Sequence, residues 1–311
     1  MRLHVFVYAS RNRTSPTVKT DLELLSAAAK RLGHELEVIY SKECQLQFFK
    51  KPQILVQNKK VKNIQALLVR ANFLHEQLEQ QASLIRQFEM SGIPVVNTYE
   101  GVIHAKNKIL TLQTLSAQKI PIPKTYIMRS VEHIEEVVKE IGNYPVILKT
   151  MSGSHGAGVS IVESQRGLRS IVHMLTEGDY AAPVIVQEYI KESSGKDIRV
   201  FIVGKRILGA MERIAAKRGE FRSNFKLGGR IRVASLSAKE KRIAFAAVRA
   251  CGLDMAGVDI LRTKNGPKVL EVNCNPGLEG ITQATGRDIA GEIIKYTYQK
   301  ALSAQKKKET V

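Results

Sequence analysis

Two carboxylates and a carboxamide lie where a hairpin would set them side by side. The stretch AGVDILRTKNGPKVLEVNCNPG, residues 256–277, reads as two strands joined at Asn265-Gly266. Asn-Gly favours a tight hairpin turn because both residues tolerate positive φ. In a symmetric hairpin centred near Asn265, paired residue numbers sum to about 530, which sets Asp259 opposite Glu271. Side chains alternate across a strand, so Asn273 shares the face of Glu271, and Val258, Ile260, Leu270 and Val272 take the buried face. Facing carboxylates repel unless positive charge lies between them. With the carboxamide oxygen they form a hard-oxygen set suited to Mg²⁺ or Mn²⁺ shared with waters and phosphates. The alternative is that both acids simply pair with Lys or Arg.

A second group has the makings of a phosphate site. Lys149 ends an apolar strand and is followed by Ser152-Gly153-Ser154-His155-Gly156-Ala157-Gly158. Glycines let successive backbone N–H groups converge on one anion. The order is neither a P-loop nor a dinucleotide fingerprint, since no Lys-Ser/Thr follows and the next element is a strand. A flap over phosphates is the functional reading, and an ordinary turn is the bland one. Further on, Gln187-Glu188-Tyr189-Ile190 and then Asp197-Ile198-Arg199 place acids at strand ends, where an adenine and ribose would be held. Phe221-Arg222-Ser223-Asn224 adds a guanidinium fork suited to a phosphate or a carboxylate.

The elements that must position these groups alternate strand and helix. Strands are expected at 3–8, 35–40, 66–70 and 93–97, with helices at 21–33 and 73–92. That rhythm predicts a small open parallel sheet over residues 1–104. The prolines in IPIPK, residues 120–124, prevent a helix there. A central unit, 105–190, is expected to hold strands at 124–128, 145–149, 159–163 and 184–190, with helices at 131–141 and 165–176. The last unit, 191–311, is expected to carry strands at 196–203, 206–213, 255–262 and 268–273, with helices at 239–252 and 288–302. The fold class is α/β, with an α+β part where the last sheet is mixed.

Composition bounds the partners. The 311 residues are 44% hydrophobic and 25% charged, which is globular, and the length calls for two or three packed units. No run approaches the roughly 18 apolar residues of a membrane span. The N-terminus reads as a strand rather than a signal peptide, so a cytoplasmic protein is expected. Cys44, Cys251 and Cys274 fit neither a zinc motif nor a disulfide framework. The formal charge of +19 favours anionic partners, although the chain has no Trp and no nucleic-acid-binding signature.

These residues together resemble the RimK-like ATP-grasp ligases. The resemblance is carried by Lys108, by Lys149 with its glycine loop, and by the strings QEYIKESSGKDIRVFIVG, GEFRSNFKLGG, AGVDILR and EVNCNPGLEGI, and it runs from about residue 84 to about 295. It implies an ATP-grasp fold with an N-terminal α/β domain and a ligase that activates a carboxylate as an acyl phosphate. It further implies that Lys108, Lys149, Gly153, Gly156 and Gly158 meet ATP phosphates, that Glu188 and Tyr189 hold the adenine, and that Asp197 lies at the ribose. Arg222, Ser223 and Asn224 would lie along the nucleotide and substrate site, and Asp259, Glu271 and Asn273 would bind two Mg²⁺ or Mn²⁺ ions. Arg199, Arg213 and Arg222 are the expected holders of substrate carboxylates, because a guanidinium pairs with them through two bonds. The implied partners are L-glutamate and the C-terminus of a small-subunit ribosomal protein, and the implied assembly is a homo-oligomer. The chain departs from the family strings at Cys274-Asn275, where Ser commonly precedes the proline, and near Arg70. Two other readings stay open at this point: a ligase of the same type acting on a small molecule, and an inactive fold that binds ribosome or RNA.

Overall fold

The computed structural model describes residues 2–49, 52–61, 63–73, 78–151, 158–177, 182–216 and 229–309. The expected parallel sheet is present. Strands β1 (Arg2–Val7), β2 (Glu35–Tyr40), β6 (Leu67–Arg70) and β7 (Val95–Val96) line up in the order β2-β1-β6-β7, all parallel. Helix α1 (Pro16–Arg31) starts earlier than expected. Ser15 caps it by accepting from the Val18 N–H, and Pro16 sits in the first turn, where its missing N–H costs nothing. Helix α2 (Leu78–Met90) falls within the expected 73–92 helix, with Phe73, Ser91 and Gly92 outside it.

An antiparallel meander of β3 (Cys44–Gln47), β4 (Gln53–Val56) and β5 (Lys59–Lys60) fills the stretch between β2 and β6. Its strands are short and only partly buried, so they leave little alternation to read. Two further helices, α3 (Tyr99–Lys106) and α4 (Lys108–Ala117), meet at Asn107, whose side chain caps α4.

The central sheet is β8 (Thr125–Met128), β9 (Val146–Thr150), β10 (Val159–Val162) and β11 (Val184–Glu188), antiparallel in the order β10-β9-β11-β8. Helices α5 (Ile134–Ile141) and α6 (Gln165–Thr176) lay apolar stripes on it, and their side chains form a separate small core.

The last sheet, in the order β14-β13-β12-β15-β16, comprises β12 (Lys196–Val203), β13 (Arg206–Ile214), β14 (Arg230–Val233), β15 (Met255–Leu261) and β16 (Lys268–Asn273). Alternation assigns its two faces. Ile198, Val200, Ile202, Ala256, Val258, Ile260 and Val272 pack on α7 (Ala238–Ala250). On the other face, Phe201, Val203, Met211 and Met255 lie under α8 (Glu279–Thr285) and α9 (Ile289–Glu309). Those helices cover one end of that face only. The uncovered end carries Asp197, Arg199, Arg213, Asp259 and Glu271.

The first and last sheets are welded. Phe6, Leu67, Ile85 and Phe88 share one core with Val200 and Val258. Asn97 is fully buried at the junction. Its amide donates to the carbonyls of Met255 and Cys274 at 2.8 and 2.9 Å, and its oxygen accepts from the N–H groups of Asp254 and Met255, both at 2.8 Å. All four hydrogen-bonding positions of the side chain are used. Asn97→Ala strands buried backbone groups, so we expect a loss of about 2–4 kcal/mol. Urea unfolding checks it, and a loss below about 0.5 kcal/mol would remove Asn97 from the junction's stability.

Candidate active site

The hairpin sets the acidic row as its sequence requires. Gly257 pairs with Asn273, Val258 with Val272 and Asp259 with Glu271. The register then slips at a bulge, so Ile260 meets Val269 and Leu270 is left without a partner. The bulge lies beyond the acids and leaves their pairing intact. The turn itself is where it was read, with Gly266 at φ +105°.

Across the sheet, β12 sets Arg199 opposite Asp259, and β13 sets Arg213 opposite Asp197. The guanidinium of Arg199 forks onto Asp259, Nε to Oδ1 and Nη2 to Oδ2, both at 2.7 Å. Arg213 forks onto Asp197 at 2.6 Å twice, and its Nη2 also donates to Asp259 Oδ2 at 2.7 Å. Asp197, Arg213 and Asp259 are all buried. Burial pushes the Asp259 carboxyl up, but Arg199 and Arg213 outweigh it and hold it below the usual carboxylate range. Arg213 is held above its ordinary value by the two aspartates despite its burial. Thus Asp259 makes the arginine pairing that was the alternative to a metal, whereas Glu271 is exposed and has no side-chain partner among the described residues. Asp197, expected at a ribose, has its carboxylate taken up by Arg213.

The oxygen set still suits a hard cation. Three N–H groups reach Asp259, which leaves Oδ1 a lone pair. Glu271 is open to solvent. Asn273 Oδ1 accepts the Asn275 N–H at 2.8 Å and retains its second lone pair. Among the described residues no group of three or more His, Cys, Asp or Glu that could hold a metal forms anywhere, this row included, so any cation here would rest on two carboxylates and a carboxamide.

Lys149 comes from the central sheet, and Lys108 from α4, whose Leu115 packs in the core shared by the first and last sheets. Lys149 on β9 donates from Nζ to Gln187 Oε1 at 2.8 Å, and Gln187 is held in turn by Thr125 at 2.8 Å. Burial lowers the Lys149 ammonium to about 8; Lys108 adds to this, and Glu271 and Asp259 oppose it. One lysine therefore feels both acids and the second lysine, so these groups lie near one another. Lys108, at the start of α4, donates to the Thr150 carbonyl at 2.8 Å. Glu188 Oε2 bonds Lys268 Nζ at 2.6 Å and the Lys124 N–H at 3.0 Å, and so ties β11 to β16. Tyr189 donates to Ser194 Oγ at 2.7 Å. Gly158 takes φ +73° as its loop returns, and its carbonyl accepts the Thr150 N–H at 2.9 Å. Gly153, Gly156, Arg222, Ser223 and Asn224 lie outside the described residues.

Two groups at this cleft escaped the sequence reading. Buried Arg70, at the carboxyl end of β6, pairs with Asp21 and donates to the Pro276 carbonyl at 2.9 Å, while Asp21 Oδ1 accepts the Leu278 N–H at 3.0 Å. Lys106, at the end of α3, donates to the Phe73 carbonyl at 2.7 Å and lies 4.9 Å from that ring's centroid. The available signal was position, since ligands collect at the carboxyl ends of parallel strands.

Breaking a buried ion network leaves a charge without a partner. Arg213→Gln should therefore cost roughly 3–5 kcal/mol of stability near neutral pH. The wild-type contribution of Asp259 is present above the unfolded carboxylate range and is lost as pH falls through its depressed folded value. Arg213→Gln weakens that depression, so the variant should lose less stability than wild type on acidification below about pH 4. Urea midpoints over a pH series check both statements, and parallel curves would contradict the second.

Comparison with known proteins identifies the family. Residues 105–297 match the family model described as the RimK-like ATP-grasp domain, and residues 13–102 match the RimK PreATP-grasp domain. The chain is 38% identical over 295 residues to "Probable alpha-L-glutamate ligase" of Cellvibrio japonicus (strain Ueda107), covering 94% of each. It is 36% identical over 278 residues to the protein of the same name in Vibrio vulnificus (strain YJ016), covering 89% of this chain and 91% of the other. Among solved structures it resembles the ATP-grasp ligase PsnB, complexed with a precursor variant, Mg and ADP, at a TM-score of 0.72 and 18% identity over 96% of this chain and 99% of that one. It also resembles D-alanine–D-alanine ligase from Bacillus anthracis complexed with ATP, at 0.71 and 20% identity over 99% of each chain. With both halves of the chain matched in order, this protein belongs to the RimK family of ATP-grasp ligases.

Proposed function

We propose that this ligase adds L-glutamate to the C-terminus of an acceptor protein, a small-subunit ribosomal protein being the acceptor the resemblance implies, by way of an acyl phosphate. The observation that carries the reading is the row Arg199–Asp259–Glu271 facing Lys149 and Lys108, in a chain 38% identical to a relative named as a glutamate ligase. The formal charge of +19 supports an anionic acceptor.

The chemistry needs positioning and charge neutralisation more than a covalent catalyst. Lys149 and Lys108 hold the phosphates of ATP. Asp259, Glu271 and Asn273 would hold the divalent cations, which supply further neutralisation of phosphate charge when bound. The acceptor carboxylate oxygen bonds to the γ-phosphorus as the bond to ADP breaks. The amine of glutamate then attacks the acyl carbon and loses a proton, and phosphate leaves with the acyl oxygen it carried. Arg199 and Arg222 are the guanidiniums we assign to substrate carboxylates, with Arg213 fixed behind them by its two aspartates. Glu188 and Tyr189 border the adenine end, and the glycine loop at 152–158 is assigned to the phosphates.

The test is mass spectrometry of the acceptor incubated with ATP, Mg²⁺ and glutamate. Successive glutamyl increments are expected, and an acceptor of unchanged mass would refute the reading. Glu271→Gln is the cleaner metal-site variant, because Asp259 also balances two arginines. It should lower turnover by about a hundredfold or more while the unfolding midpoint stays unchanged. Full activity would remove Glu271 from the site.

Lys149 gives the pH dependence. Its charge is present below about 8 and is lost as pH rises through that value. ATP binding measured by calorimetry should weaken between pH 7 and 9.5 in wild type and vary little in Lys149→Met. Identical profiles would exclude Lys149 as a phosphate ligand.

A further inference from the structure

Asp259 is asked to do two things with one carboxylate. Both lone pairs of Oδ2 are taken, by Nη2 of Arg199 and Nη2 of Arg213, and Oδ1 takes the Nε of Arg199. Arg199, Arg213, Asp197 and Asp259 sum to zero charge. Among the described residues Glu271 is then the one acid of the row with no arginine bonded to it, and Lys149 already feels its charge, so the row offers little net attraction for a divalent cation.

The two arginines are not equivalent. Arg213 also forks onto buried Asp197, so its withdrawal would cost that buried carboxylate two hydrogen bonds to a guanidinium. Arg199 has no such second acid among the described residues, and its side chain is 14% exposed. It lies over a residue without a side chain: a Cβ on Gly257 would meet Arg199 Cδ at 3.3 Å, Nε at 3.4 Å and Pro276 Cβ at 2.9 Å. Gly257 is the cross-strand partner of Asn273, so Arg199 runs along the same row as the three oxygen donors.

We propose that Arg199 is a positioning residue that competes with the divalent cation for Asp259. When Asp259 takes a metal, Arg199 gives up at least one of its two bonds and turns its freed N–H groups toward the anionic substrate. Arg213 stays in place and keeps the buried carboxylates aligned. This rests on the assignment of Asp259, Glu271 and Asn273 as metal ligands. It adds that metal binding and exposure of a carboxylate-binding fork are one exchange. The free enzyme should then bind the cation weakly, because it carries its own competitor.

The test is Mn²⁺ binding to the nucleotide-free full-length protein, followed by electron paramagnetic resonance of the free ion. A unit charge at contact distance is worth on the order of tenfold or more in an equilibrium constant. Arg199→Gln should therefore bind Mn²⁺ about tenfold more tightly than wild type. Arg199→Lys keeps the charge with one donor group in place of a fork, so it should fall between them, and it serves if the glutamine variant fails to fold. A structural role alone for Arg199 predicts the opposite sign, since a loosened row binds metal less well. Unchanged or weaker Mn²⁺ binding in both variants overturns the competition. Adding Glu271→Gln to Arg199→Gln separates the two levels of the argument. Loss of the tightened binding places the ion on this row, whereas full retention overturns the metal assignment and the competition with it.

Discussion

The buried fork of Arg213 is the interaction on which the ionic end of the last sheet depends. It joins Asp197 on β12 to Asp259 on β15 across two strands, through three hydrogen bonds of 2.6–2.7 Å. Without it, buried Asp197 would lose two of these bonds and Asp259 would keep only the fork of Arg199, in a setting where under-compensated charge is strongly unfavourable. Arg199 and Arg213 together keep Asp259 ionised. The arrangement also explains why charged residues occupy strand positions that would otherwise be apolar. Phe201, Met211 and Met255 continue the same face under α8 and α9, and the change from apolar to ionic coincides with the end of that cover.

The cleft is built from parts of unequal attachment. The N-terminal sheet and the last sheet share one core and the Asn97 junction, and Arg70 and Asp21 grip the backbone just past Asn273. The central sheet has its own core and reaches the last sheet through Lys268–Glu188. The acids thus stand on the welded part, and Lys149 stands on the other. Any relative movement of the central sheet changes the distance between Lys149 and the acids, and the Lys108–Thr150 bond spans the same division, because α4 packs through Leu115 in the shared core.

Much of this was legible in the amino-acid sequence, and the reasons differ by residue. The Asp259/Glu271 pairing followed from one turn dipeptide and the two-residue period of strands, because register in a hairpin is a local matter. The pairing of Arg199 with Asp259 and of Arg213 with Asp197 was not legible, since it depends on which strands neighbour one another. The meander at 44–60 was missed because its strands are only partly buried and weakly patterned. Helix α8 and strand β14 are short, and their stabilisation comes from tertiary packing rather than from their own residues. Arg70 looked like the end of a buried strand, and only the chain passing above it, at Pro276 and Leu278, gives it a function in the cleft.

The charge of the molecule divides in the same way. Around Asp259 two arginines and two aspartates meet at contact distance and balance. The surplus of +19 lies elsewhere. Helix α7 illustrates this: its exposed charged residues, Lys239, Lys241, Arg242 and Arg249, are all basic, and its one acid, Glu240, is buried against Arg262. Contact pairs are little affected by salt, whereas a field from exposed charges is screened beyond about 10 Å at 0.1 M ionic strength. On the proposed function, chemistry at Asp259 and capture of an anionic acceptor would thus be separable by ionic strength alone. If the partner gains negative charge with every residue added, each turnover strengthens the attraction that holds it for the next. That attraction is the part of the process that salt removes first.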